Sequence, residues 1–132
     1  NANTIPTALI AKYFLPYLYR DRITKFASIS ARVGSIEDNE LGGWYSYRAS
    51  KSALNMILKG LSIEQKRSNQ DSIIFGLHPG TVDSKLSRPF QKNNKEYFSP
   101  EFSANKLINV IDRRTKVDNG KLFAWDNTII PY

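Results

Sequence analysis

The sequence predicts an α/β fold in which three parallel strands alternate with helices, as a single domain over residues 1–132 that forms part of a doubly wound sheet. Two observations support this fold class. Segments with the helical spacing of apolar residues alternate along the chain with short runs rich in β-branched and aromatic residues. One of these runs, SIIFGL at 72–77, is almost entirely apolar, which is typical of a strand buried on both faces of a parallel sheet.

Three segments carry the helical spacing: residues 4–19, residues 45–68 and a segment that begins at 99–100. Pro16 is expected to bend or end the first helix. Gly60 costs stability inside the second helix, so we expect a close packing neighbour at that position. Ser99 and Pro100 supply the N-cap and first-turn signals of the third helix.

Three runs carry the strand pattern: residues 23–30, 72–77 and 121–125. The order helix, strand, helix, strand, helix, strand predicts parallel strands joined by right-handed crossovers. Three parallel strands are few for a sheet that must be covered on both faces. We therefore expect the chain to be part of a larger doubly wound fold.

Composition limits the chemistry that the chain can perform. It has no cysteine and a single histidine, His78, so neither a disulfide framework nor a metal site is expected. We interpret His78 as a structural residue at a strand end. The lack of cysteine favours a reducing, cytoplasmic setting. No segment approaches the run of about 20 apolar residues that spans a bilayer, so no membrane association is expected.

The net charge of +7 at pH 7 raises the question of nucleic-acid binding. The basic residues are scattered, however, and the pairs at 66–67 and 113–114 lie near predicted helix ends, where cations interact favourably with the helix dipole. No helix-turn-helix, zinc-finger or RNA-recognition pattern is present in the sequence. We therefore expect no nucleic-acid partner.

Tyr47 and Lys51 form the candidate catalytic pair. Residues four apart lie on one face of a helix, so both side chains can approach the same reactant. A phenol has an ordinary pKa of about 10. A nearby ammonium stabilises the phenolate and lowers that pKa, which suits a group that passes a proton between a carbonyl and an alcohol. An exposed helix pair without function is the alternative interpretation of this spacing alone.

Around this pair the sequence resembles the short-chain dehydrogenase/reductase family, in particular its C-factor-like and sniffer-like carbonyl reductase branch. The resemblance is carried by SISARVGSIEDNELGGWYSYRASKSALN at 28–55, LHPGTVDSKLS at 77–87 and FAWD at 123–126. The opening NTIPTALIAKYFLP at 3–16 is similar to the family helix that begins with an Asn. The resemblance covers essentially the whole chain. It implies the C-terminal half of a Rossmann-like, NAD(P)-dependent oxidoreductase that interconverts a carbonyl and an alcohol.

The resemblance also implies roles for individual residues. Tyr47 would exchange a proton with the substrate oxygen, while Lys51 would bind the nicotinamide ribose and lower the Tyr47 pKa. Asn3 would support a relay water near Lys51. A variable loop at about 85–98 would cover the substrate. The nicotinamide would lie along a loop whose binding residues are Pro79, Gly80, Thr81, Val82 and Ser84, the last standing where the family usually has a Thr.

The serine that would orient the substrate carbonyl is less clear from the resemblance. In many family members it is the second of two serines at the strand end, three residues before a glycine. Counting back from Gly34 gives Ala31. Ser30 is our candidate for this role. Ser28 and Ser35 are the alternatives, and a role as a capping or turn serine alone is the other interpretation of each of the three.

The resemblance also predicts what the chain lacks. The glycine-rich turn that brings the cofactor pyrophosphate to a helix N-terminus is not found in the sequence. Because such remote contacts hold the cofactor, we expect the chain by itself to bind neither NAD nor NADP and to show no turnover.

Self-association is the alternative function. The resemblance implies a homo-oligomer through the helices at 4–19 and 45–68. The strand at 23–30 would also expose an unpaired edge, which pairing with another chain relieves. The alternative to an enzyme is thus a non-catalytic, self-associating interaction module.

Overall fold

The computed structural model describes residues 3–69, 71–85, 87–88 and 97–132. Its helices are α1 (Ile5–Phe14), α2 (Tyr45–Ser68) and α3 (Pro100–Asp112). Its strands are β1 (Thr24–Ile29), β2 (Ser72–His78), β3 (Leu122–Ala124) and β4 (Ile129–Ile130). Short 3-10 turns lie at Leu15–Tyr17, Arg32–Gly34 and Lys116–Asp118. The predicted alternation of helices and strands is confirmed.

The strands form one sheet in the order β1-β2-β3-β4. β1 pairs with β2 and β2 with β3 in parallel, as predicted. The sequence missed β4, which pairs antiparallel with β3 after a turn containing Asn127 at φ 71°. A strand of two residues is too short to show an alternation of apolar and polar residues. β4 is defined by its pairing with β3.

Helices cover both faces of the sheet. On one face α3 packs on alternate residues of β2, in a core formed by Ile73, Phe75, Leu77, Leu107, Val110 and Phe123. On the other face α1 and α2 pack on β2, in a core formed by Ala11, Leu15, Leu54, Leu58 and Ile74. This two-sided burial explains the near-continuous apolar sequence of β2. The α/β, doubly wound fold class predicted from the sequence is confirmed.

Two details of the helices differ from the sequence predictions. α1 ends at Phe14 instead of residue 19, because Pro16 falls in the 3-10 turn that follows it. The prediction of a close packing neighbour for Gly60 is wrong, because a Cβ built at Gly60 meets no atom within 4 Å. This glycine therefore weakens α2 without a packing advantage in the described part of the chain.

β1 lies at the edge of the sheet and pairs on one side only within the described residues. The predicted unpaired edge is thus present in this part of the chain. Its flanking Ile23 and its last residue Ile29 are both about half exposed (53% and 50%). No helix among the described residues combines the length and the apolar character needed to cross a membrane.

Candidate active site

The candidate catalytic pair lies in the first half of α2, beside the end of β1. The side-chain nitrogen of Lys51 lies 6.0 Å from the centre of the Tyr47 ring. The same nitrogen donates a hydrogen bond to the backbone oxygen of Ile29 (3.2 Å). Lys51 is 6% exposed and Tyr47 is 43% exposed, so a buried amine stands beside a partly exposed phenol. Both side chains lie on one side of α2, as their spacing predicts.

Burial shifts the pKa values of Tyr47 and Lys51 in opposite directions. It raises the pKa of the Tyr47 phenol and lowers the pKa of the Lys51 amine, because loss of water disfavours the charged form of each. Burial alone accounts for the shift of the Tyr47 pKa, and the lowering of that pKa by Lys51 stays a prediction. The Lys51 nitrogen is bonded to Ile29, and desolvation of the phenol dominates. At neutral pH the phenol holds its proton.

The backbone of α2 at Lys51 is held against the 3-10 turn Arg32–Gly34. A Cβ built on Gly34 would lie 2.7 Å from the carbonyl carbon and from the Cβ of Lys51. The Ser52 hydroxyl donates a hydrogen bond to the Gly34 oxygen (2.8 Å). Only a residue without a side chain allows so close an approach between the turn and the helix. The turn that follows β1 therefore fixes the position of Lys51.

Each of the three candidate serines has a partner away from Tyr47. Ser30 is buried, and its hydroxyl donates to the Asn55 side-chain oxygen (2.5 Å). The hydroxyl of Ser28 lies 3.3 Å from that of Thr7. Ser35 is buried and accepts a hydrogen bond from the Asp38 backbone nitrogen, as a turn serine does. Among the described residues none of the three hydroxyls is hydrogen-bonded to Tyr47, and the assignment of Ser30 to the substrate stays a prediction.

Asn3 is linked to the pair through Ser50. Its side-chain amide donates to the Ser50 hydroxyl (3.0 Å), which in turn donates to the backbone oxygen of Tyr47 (2.8 Å). Asn3 is therefore linked to the helix turn that carries the pair. Its expected role beside a relay water at Lys51 stays a prediction.

The loop after β2 begins at the same edge of the sheet as the end of β1. Its first residue, Pro79, accepts a hydrogen bond from the Ser103 hydroxyl of α3 (2.8 Å). Gly80 has φ +76°, and a Cβ there would lie 2.5 Å from the Phe98 ring and 3.0 Å from Trp125. The rings of Phe98 and Trp125 meet edge to face, 4.6 Å apart. An aromatic cluster thus packs directly on the Pro-Gly turn.

The rest of this loop is closed by backbone pairing. Val82 forms a parallel bridge with Phe98, which donates to the Thr81 oxygen (2.9 Å) and accepts from the Asp83 nitrogen (2.9 Å). Ser84 is hydrogen-bonded to Ser87 through its hydroxyl and its backbone nitrogen. The loop predicted to cover the substrate includes residues 86 and 89–96, which lie outside the described part of the chain.

His78, at the carboxyl end of β2, has a strongly lowered pKa of about 4. Burial is the main cause, and the positive charge of Arg32 adds to it. Its Nδ1 is buried without a hydrogen-bond partner in the described structure. No group of three His, Cys, Asp or Glu side chains in the described ranges is arranged to hold a metal ion.

Sequence reasoning missed two polar residues of α2. Asn55 continues the series Tyr47, Lys51 by one more helical turn and is 3% exposed. Arg48 donates to three backbone oxygens outside the helix. The spacing of Asn55 could have signalled its position on the catalytic face. No sequence signal indicates the contacts of Arg48, because they depend on the path of the loop before α2.

Comparison with known proteins places this geometry in a family. No family model matches the chain. It is 37% identical over 108 residues to a 1-hydroxy-2-glutathionyl-2-methyl-3-butene dehydrogenase of Rhodococcus sp. (strain AD45), covering 82% of this chain and 46% of that protein.

Two solved structures align with nearly all of the chain. The carbonyl reductase Sniffer of D. melanogaster superposes with a TM-score of 0.84 at 27% identity, over 98% of this chain and 54% of that one. The NADPH-bound carbonyl reductase from chicken fatty liver superposes with a TM-score of 0.86 at 26% identity, over the same shares. The chain thus spans about half the length of these proteins. It belongs to the short-chain dehydrogenase/reductase family, and it matches the C-terminal half of its carbonyl reductases.

Proposed function

We propose that this chain forms the catalytic half of an NAD(P)-dependent reductase that converts a carbonyl to an alcohol. The observation that carries the proposal is the placement of Tyr47 and Lys51 on one side of α2, with the Lys51 nitrogen anchored on Ile29 at the carboxyl end of β1. Membership of this family supports an oxidoreductase function. A cytoplasmic setting is part of this proposal.

Tyr47 is the proposed proton donor. In the reducing direction the substrate oxygen gains a proton as the carbonyl carbon gains a hydride, so the donor must hold a proton beforehand. The raised pKa of Tyr47 keeps its phenol protonated at neutral pH. Tyr47 is 43% exposed, so a reactant can reach its side chain.

Lys51 is the residue best suited to hold the sugar of a nicotinamide cofactor. Within the described residues its nitrogen donates one hydrogen bond, to Ile29, and an ammonium has three donors, so two are free for ribose hydroxyls. When bound, the nicotinamide would supply the hydride. The loop from Pro79 to Val82 and Ser84 would line the nicotinamide side. The residues fit this end of the cofactor, whereas the sequence has no glycine-rich turn for the pyrophosphate.

The proposal includes the expectation that the chain alone does not turn over. NADPH titration should show no binding in the low micromolar range, because the pyrophosphate contacts are missing. Fusion behind the N-terminal half of the Sniffer carbonyl reductase should then provide those contacts. We expect the fusion to bind NADPH and to reduce a panel of carbonyl compounds.

The decisive variant in this fusion is Tyr47→Phe, which removes the hydroxyl and keeps the ring. Loss of a positioned proton donor should lower turnover by about 10²–10⁴-fold. Tyr45→Phe is the matched control, because Tyr45 lies in the same turn of α2 and is 84% exposed. A fusion that binds NADPH but turns over equally well with Phe at position 47 contradicts the proposal.

A second candidate, self-association, is favoured by the exposed apolar surface. α1 has large apolar side chains about half exposed or more, namely Ile5, Leu9, Ile10, Tyr13 and Phe14. On α2, Met56 is 72% exposed. Apolar surface of this kind is favourable to bury against another chain. We propose a homo-oligomer formed through the helices predicted at 4–19 and 45–68.

Light scattering at high protein concentration tests the second candidate. Leu9→Glu should dissociate the oligomer, whereas Val117→Glu, at an exposed site outside both helices, should leave it unchanged. A wild-type chain that stays monomeric at every concentration is incompatible with this candidate.

A further inference from the structure

Arg48, the residue after Tyr47, is hydrogen-bonded to three backbone oxygens outside its own helix. Its Nε donates to Gly43 (3.0 Å) and to Gly42 (3.2 Å), and one Nη donates to Gly42 as well (3.1 Å). The other Nη donates to Val33, in the turn that follows β1 (3.3 Å). One guanidinium therefore joins the start of α2, the loop before it and the turn that follows β1.

The N-terminal end of α2 lacks the usual capping interactions of a helix. Its N-cap residue, Trp44, has the left-handed φ of 50° and makes no side-chain cap hydrogen bond. The two preceding residues, Gly42 and Gly43, also have positive φ, and a Cβ on either would meet no atom within 4 Å. The first turn has no acidic residue to interact with the helix dipole. The chain thus enters α2 through three left-handed residues, and the Gly42 nitrogen donates a hydrogen bond to the Asn39 side-chain oxygen (3.0 Å).

We propose that Arg48 is a positioning residue for Tyr47. By binding the loop before α2 and the turn after β1 at once, it fixes the first turn of the helix and so the direction of the Tyr47 phenol relative to Lys51. The catalytic importance of the direction of the phenol rests on the proposed function. The contacts themselves do not depend on it.

The geometry requires arginine in particular. A guanidinium is planar and presents several N–H donors in a rigid fork, so it can bind carbonyls that lie in different directions. A lysine has the same charge, but its ammonium is a compact group at the end of a flexible chain. Arg48→Lys therefore keeps the positive charge near Tyr47 and removes the planar set of N–H donors that binds the three backbone oxygens.

Two measurements on the full chain test this role. The first is amide hydrogen exchange in α2 at residues 48–51, beginning with Arg48, whose nitrogen donates to the Trp44 oxygen (2.9 Å). The second is the pKa of Tyr47, followed by NMR of ring-labelled tyrosine and assigned with Tyr47→Phe. Arg67→Lys, at an exposed position in the last turn of the same helix, is the matched control.

In Arg48→Lys we expect exchange at 48–51 to accelerate by about tenfold, because this turn opens locally without global unfolding. The Tyr47 pKa should fall towards its ordinary value, since a loosened turn gives the phenol back its water. Exchange at 58–62 in the same helix should not change. Arg67→Lys should change neither quantity.

Unchanged exchange and an unchanged Tyr47 pKa in Arg48→Lys would overturn the inference. Uniform acceleration along α2 would overturn it as well, because Arg48 would then contribute only to general stability. Neither measurement requires turnover. If the fusion retains activity with Phe at position 47, the proposed function fails while the result for Arg48 stands.

Discussion

Substitution of Gly34 by alanine should disturb the chain at the point where the catalytic helix meets β1. The added Cβ would lie 2.7 Å from the Lys51 carbonyl carbon and 2.9 Å from its oxygen. These are backbone atoms of a 24-residue helix, so they cannot yield as the end of a flexible side chain would. The turn Arg32–Gly34 must therefore move away from α2.

The size of the effect follows from two opposing contributions. Overpacking of a tight contact costs roughly 1–3 kcal/mol, and contact with backbone favours the upper end. Replacing glycine also restricts the unfolded chain, which stabilises the folded state by about 0.4–1 kcal/mol. We expect a net loss of about 2 kcal/mol. With a urea m-value of about 2 kcal/mol/M, the unfolding midpoint should fall by about 1 M.

Gly60→Ala is the matched control in urea unfolding followed by circular dichroism. A Cβ at Gly60 meets nothing within 4 Å inside α2, so alanine should stabilise the chain by about 0.5–1 kcal/mol. The same substitution thus has opposite signs at two positions. If Gly34→Ala unfolds at the wild-type midpoint, or if both variants are destabilised alike, the reasoning from close contact is refuted.

Three further predictions concern buried or capping groups. Burial, with the charge of Arg32, lowers the His78 pKa to about 4. The unfolded chain therefore takes up a proton at His78 at a higher pH than the folded chain does. The free energy of unfolding should fall by roughly 3 kcal/mol as the pH falls from about 6.5 to 4. In urea titrations His78→Gln should lack this part of the slope. Ser30→Ala should cost about 1–3 kcal/mol by leaving the Asn55 oxygen unpaired, and the double variant with Asn55→Leu should cost less. Ser99→Ala should cost about 1 kcal/mol as the N-cap of α3, whereas Ser99→Asp should cost nothing measurable.

The fold was largely predictable because its main signals are local. The helix predicted at 45–68 has those bounds in the structure, and β2 extends the predicted strand by only one residue, His78. These elements have many residues in register with the helical or strand period. β4 and the end of α1 were not predicted correctly. They depend on pairing with β3 and on the geometry around Pro16, which a hydrophobic pattern does not contain.

The candidate site was predictable in position and less so in chemistry. Spacing alone placed Tyr47 and Lys51 on one side of α2. The partners of each polar group were not predictable, because they come from segments distant in sequence: Ser30 bonds to Asn55, and Arg48 bonds to Val33. Such contacts depend on how β1 and the loop after it pack on α2.

The protonation of the pair shows why spacing cannot settle chemistry. Four residues along a helix bring an amine and a phenol close, which alone favours a phenolate beside an ammonium. Burial disfavours both charged forms, raising the Tyr47 pKa and lowering that of Lys51. The hydrogen bond from Lys51 to Ile29 directs the amine to the strand end at the same time. A phenol that keeps its proton is the form that carbonyl reduction consumes, whereas alcohol oxidation requires the phenolate. In this fold burial therefore keeps Tyr47 in the proton-donating form, and a phenolate at this position would need stabilisation by groups that bind beside Tyr47 and Lys51.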